Sequence, residues 1–115
     1  MNNITIKGRL TADPEMRETT NGVPVANFTV AVDRAFSRDE TDFFRCTAWR
    51  STGEFIYLYF KKGQEILLTG EMQCNVWEDE GGEKHSSWAV QVASAEFCGS
   101  KTEASKTPKK KTYKK

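Results

Sequence analysis

A chain of 115 residues, 37% hydrophobic and 11% aromatic, can build one globular domain burying roughly 60 to 70% of its unfolded surface, and is too short for two. Its formal charge of +1 divides into opposite parts: residues 1–100 hold 10 Lys and Arg against 15 Asp and Glu, residues 101–115 seven Lys against Glu103. This excludes a globally basic nucleic-acid-binding domain, leaving local cations and flat rings as the means of such binding. No apolar run nears the roughly 20 residues a bilayer requires. Cys46, Cys74 and Cys98 are scattered, with no CxxC pair and no signal-like segment after Met1, so a reduced, cytoplasmic setting without disulfides is expected.

In chain order, Asn3 to Thr11 alternates Ile4, Ile6 and Leu10 with polar residues and reads as a half-buried strand. Gly8 takes the next inward place, which suggests a bulge or bend where a small barrel turns a corner. A connection from Asp13-Pro14 ends at the turn pair Asn21-Gly22. Val25 to Val32 is the second strand; by parity Arg34 and Phe36 fall on the face of Phe28, Val30 and Val32, so the chain must twist or leave the core near Asp33 for them to be exposed. After a polar loop from Ser37 to Thr41 comes the third strand, Asp42 to Arg50. It sets Phe44, Cys46 and Ala48 on a core face and Phe43, Arg45, Thr47 and Trp49 on the other. A guanidinium bracketed by two large rings is suited to stacking bases beside a phosphate backbone.

Ser51 to Glu54 reads as a helix entry, with Glu54 in the first turn, and Lys61-Lys62-Gly63 as its close, with cations in the last turn and Gly at C′. The fourth strand, Glu65 to Trp77, carries Trp77 on its polar side. Glu78 to Glu83 is a solvated hairpin tip, and His85 to Phe97 returns as the fifth strand. Five strands with one short helix between the third and fourth is the element order of the OB-fold, a Greek-key barrel whose second and third strands bind oligonucleotides or oligosaccharides. The expected organisation is an all-β OB-fold domain over residues 1–99 and a disordered Lys-rich tail over residues 100–115.

Particular segments sharpen this. Asn3 to Leu10, Asp13-Pro14-Glu15-Met16-Arg17, Asn21-Gly22-Val23, Val25 to Val32, Asp42 to Arg50, Phe60-Lys61-Lys62-Gly63 and Thr69-Gly70-Glu71 resemble, in order, the recurrent segments of the bacterial and phage single-stranded DNA-binding protein family. The resemblance spans about residues 1 to 98. It implies stacking of bases on Phe36, Phe43, Trp49 and Trp77; Arg9 and Arg34, together with Arg45 from the third strand's own outward face, would supply charge to phosphates. It also implies a homotetramer whose dimers pair through the first strand, here Ile4 and Ile6, and non-catalytic protection of single strands in replication, recombination and repair. The alternatives are another OB-fold role, such as a primosome accessory or RNA binder, and, from a different class, a saccharide-binding subunit or OB-like enzyme.

Each of these residues has a plainer reading. Rings are usually core or subunit interface, the reading given to Trp88 and Phe97, and a surface Arg is often only a solvated charge. His85 is the sole histidine and sits by a polar tip, a poor foundation for catalysis. With the three cysteines it lacks the close paired spacing of a zinc site, so no metal or cofactor is expected. Cellular members of the family end in an acidic tip with a terminal Pro-Phe that recruits other replication and repair proteins. This sequence ends Lys109-Lys110-Lys111-Thr112-Tyr113-Lys114-Lys115, so recruitment of that kind is not expected, and the Lys run is suited to sequence-blind phosphate contacts.

Overall fold

A computed structural model describes residues 1–98, apart from the Arg38 side chain. The tail expected over residues 100–115 lies outside the described residues. The chain runs β1 (Ile4–Leu10), β2 (Glu15–Glu18), β3 (Pro24–Arg34), β4 (Ser37–Trp49), α1 (Arg50–Tyr59), β5 (Glu65–Glu78) and β6 (Lys84–Phe97). Hydrogen-bonded neighbours follow the order β1-β5-β6-β4-β3-β2, and β1 also pairs with β3 at Arg9 and Leu10. That last pairing closes five strands into a barrel, with β2 added outside along β3. Parallel pairing of β4 with β6, at Cys46 with Val90 and Thr47 with Gln91, completes the OB-fold closure.

Gly8 explains how β1 serves two neighbours. A Cβ there would lie 2.4 Å from the Ala31 carbonyl oxygen and 2.7 Å from Val30 Cγ1, so only glycine lets β1 come this close to β3 at the corner. A second adjustment falls in β6, where Thr69 pairs with Ser94 but Gly70 with Val92, so the register slips at Ala93. The slip reconciles Phe97 and Ala95, packed against the core from one parity, with buried Val90 and Val92 from the other. Gly70 is required there because a Cβ would stand 2.1 Å from the Gln91 carbonyl oxygen.

The core joins alternate positions of every barrel strand, among them Leu10, Val30, Cys46, Ile66 and Val90, and it is closed by Ile56 of α1 and by Phe60 at the helix C-cap. Phe60 stacks on Phe97 at 4.9 Å between ring centroids, and Phe55 meets both rings edge-on. Gly53 brings α1 onto the sheet, since a Cβ there would reach within 2.4 Å of the Ala48 carbonyl oxygen.

Several sequence expectations are corrected. Glu15–Glu18, read as connection, is a strand, because buried Met16 anchors it to Ala26 of β3. Ser37–Thr41, read as a loop, extends β4, with Asp39 and Glu40 exposed on the arm of the hairpin. The helix begins at Arg50, so Glu54 is outside its first turn, and Lys61 and Lys62 lie beyond the C-cap Phe60. Gly63 serves the following turn instead, at φ 84°, its amide donating to the Leu10 carbonyl at 2.8 Å. In β1, within the single chain, Ile6 is buried in the core and Ile4 is partly buried against it.

Candidate nucleic-acid interface

β4 supplies the outward row. Phe43 is 65% exposed and Trp49 45%, with Arg45 exposed between them, while Cys46 and Ala48 on the opposite parity are sealed in the core. Phe43 and Trp49 are six residues apart, about 20 Å along a strand, which leaves room for more than one base between them. Trp49 is oriented by its indole Nε1, which donates to Gln91 Oε1 at 3.0 Å. Thr47 Oγ1 donates to Asn27 Oδ1 on β3 at 3.2 Å.

A groove of about 470 Å³ lies between this row and two flanks. Thr11, Ala12 and Asp13 of the β1–β2 connection line one side, and Asn75, Ser87, Trp88 and Ala89 of the β5–β6 hairpin the other. Its floor includes Asn27, Thr29, Arg45 and Thr47, and β2 adds Glu15 and Arg17. These are the loops and strands that carry ligands in OB barrels.

Phe36 stands fully exposed at the tip of the β3–β4 hairpin. The parity problem at Arg34 and Phe36 is solved by an irregularity between Asp33 and Arg34, which turns the chain away from the core. Trp77, 49% exposed, sits near the end of β5 and stacks on His85 at 5.5 Å and 24°. His85 Nε2 is 2.8 Å from Asp79 Oδ2, and Asp79 Oδ1 accepts from the amides of Gly81 and Glu83, both at 2.9 Å. The His85 contact, then the amide bonds, hold the Asp79 carboxyl below the usual carboxylate range. Asp79, Glu83 and His85 present exposed ligand atoms within 4.8 Å of one another. The hairpin tip's own hydrogen bonds account for that grouping.

The three expected phosphate cations differ. Arg34 is committed: Nε and Nη2 donate to the two carboxylate oxygens of Asp42, each at 3.1 Å, and Nη1 to Glu40. The Arg34 hydrogen bonds lower the Asp42 pKa and those to Asp42 raise that of Arg34, so Arg34 is a neutralised fork rather than an open cation. Arg9 lies 3.7 Å from Asp33, with both side chains about half exposed. Arg45 is in no ion pair among the described residues and lines the groove. Sequence reading missed Arg17, hidden in what looked like a connection, and set Trp88 aside as core or interface. In this chain Trp88 is 58% exposed.

A closed five-stranded barrel with an outward row of rings beside a polar groove defines an OB-type polymer-binding domain. A family model described as the single-strand binding protein family matches residues 1–98. The chain is 41% identical over 113 residues to a single-stranded DNA-binding protein of Fusobacterium nucleatum, covering 93% of this chain and 73% of that one. A protein of the same name from Clostridium perfringens is 40% identical over 101 residues, 87% and 67% of the two chains. Single-stranded DNA-binding protein A of Bacillus subtilis is 38% identical over 101 residues, 84% of this chain and 59% of its own length. The chain belongs to the single-strand binding protein family.

Proposed function

We propose that this chain binds and protects single-stranded DNA with little sequence preference, without catalysis, in replication, recombination and repair. The observation that carries the reading is the outward row of Phe43, Arg45, Thr47 and Trp49 beside the groove. Flat rings accept any base, each stacked base contributing about 1 to 3 kcal/mol, while Arg45 and Arg9 meet the backbone. Few free cations are then needed, which suits a domain whose charge is negative. The names of the relatives support the same ligand.

The protein acts as a homo-oligomer in the cytoplasm, a tetramer by family resemblance. β1 pairs with β3 only at Arg9 and Leu10, which leaves the Ile4 to Gly8 edge open to a strand of another copy among the described residues. The interface draws on that edge and on exposed Thr5 and Lys7 rather than on Ile6.

The test titrates intrinsic tryptophan fluorescence with oligo-dT, with a duplex of the same length and with a panel of oligosaccharides. Saturable quenching by the single strand alone is expected. Quenching by none of the three, or by the sugars alone, rejects the reading.

A further inference from the structure

We propose that the groove holds one nucleotide of the bound strand in a subsite of its own, with the base stacked on Trp88 and the phosphate met by Arg45 and Arg17. The inference rests on the reading above but adds a contact to it: the stacking residues implied by the family resemblance do not include Trp88.

The fold explains how such a ring comes to stand in solvent. Trp88 shares its parity with Val90 and Val92, both buried, so it belongs to the side of β6 that faces the core. The barrel ends before it. Pairing of β5 with β1 stops at Gly70, and that of β6 with β4 begins only at Val90, so the hairpin arms from Met72 to Ala89 run on past the closed strands. The core-facing side of the hairpin is thereby carried into the open, where Trp88 is 58% and Val76 67% exposed. A large indole left in water gains nothing for this chain's own packing, and such positions mark binding surfaces.

The surroundings select the ligand. Trp88 lines the same groove as Arg45 and Arg17, and at about 470 Å³ the groove falls in the range of small-ligand sites. Asn27, Thr47, Asn75 and Ser87 add donors and acceptors of the kind that meet base edges. The lining also holds the carboxylates of Asp13, whose Oδ1 accepts from the Lys62 amide at 2.8 Å, and Glu15. A ring, neutral amides and hydroxyls, and two guanidinium groups set against two carboxylates suit a base carried with its phosphate better than an apolar partner or a lone anion.

The test compares wild-type protein, Trp88→Ala and Trp88→Phe for affinity to oligo-dT, and crosslinks the wild type to a 5-iodouracil-substituted strand. Trp88→Ala should weaken binding roughly 5- to 150-fold, the range for loss of one stacked base, and Trp88→Phe should restore most of it. The crosslinked peptide should include residue 88. Equal affinity of wild type and Trp88→Ala overturns the proposal, as does equal loss in both variants. Crosslinking at Trp49 but not at residue 88 overturns it without any substitution. If the wild type binds no single strand at all, the broader reading fails instead.

Discussion

Arg34 has the position and charge of a phosphate ligand, yet its guanidinium is occupied by Asp42 and Glu40. Replacing both carboxylates (Asp42→Asn with Glu40→Gln) keeps side-chain size and removes the charge that holds the fork. The freed cation stands near exposed Phe36 on the β3–β4 hairpin, where it can neutralise one phosphate. On single strands each neutralised phosphate contributes about −0.7 to the slope of log K against log salt. One recovered contact should therefore steepen the slope by about 0.7, so that a tenfold rise in salt costs the double variant about five times more affinity than it costs the wild type. The assay is fluorescence titration with oligo-dT across a salt series. Arg34→Gln in the wild-type background should leave the slope nearly unchanged, because that charge is already compensated, whereas Arg45→Gln should flatten it by about 0.7. An unchanged slope in the double variant, or a flattening by Arg34→Gln equal to that by Arg45→Gln, refutes the distinction drawn between the two cations. The pH dependence has a definite sign. Asp42 is depressed in the folded state, so the fork's stabilising effect is complete above the ordinary aspartate value near 3.9 and is lost as pH falls through the lower folded value. From pH 5 to 8 the fork stays closed, and the wild-type slope should not change with pH on its account.

Two further predictions concern the scaffold. Gly70→Ala places a Cβ 2.1 Å from a backbone oxygen that cannot swing aside, so the cost should reach or exceed the roughly 1 to 3 kcal/mol of an overpacked core, read as a lower midpoint in urea. Cys46, its thiol pushed up to about 12 by burial, should resist iodoacetamide at pH 8 in the folded protein and react once urea unfolds it; labelling in the native state would contradict its place in the core.

Much of this architecture was legible because alternation records a strand's two faces. The split of Phe43, Arg45, Thr47 and Trp49 from Phe44, Cys46 and Ala48 needed nothing beyond a period of two. What failed to show were features set by partners distant in sequence. Glu15–Glu18 is four residues long and carries a single buried side chain, too little for a periodic signal, so β2 and its Arg17 passed as a loop. Trp88 lies on a core parity, and its exposure depends on where β1 and β4 stop pairing, which no local pattern encodes. Arg34 looked free because the acids that hold it are brought across by the β3–β4 hairpin, six and eight residues away. Ile6 showed the alternation of a half-buried strand, but that pattern does not tell whether the apolar face meets this chain's core or another subunit.

The central claim is that exposed rings, more than bulk charge, grip the unpaired strand. Its most direct test is the salt-resolved affinity of the Phe43→Ala/Trp49→Ala double variant for oligo-dT. Losing two stacked bases should cost about 2 to 6 kcal/mol, at least a thirtyfold weakening, with the salt slope unchanged. Undiminished affinity, or a loss that appears only as a flatter salt slope, would contradict the account.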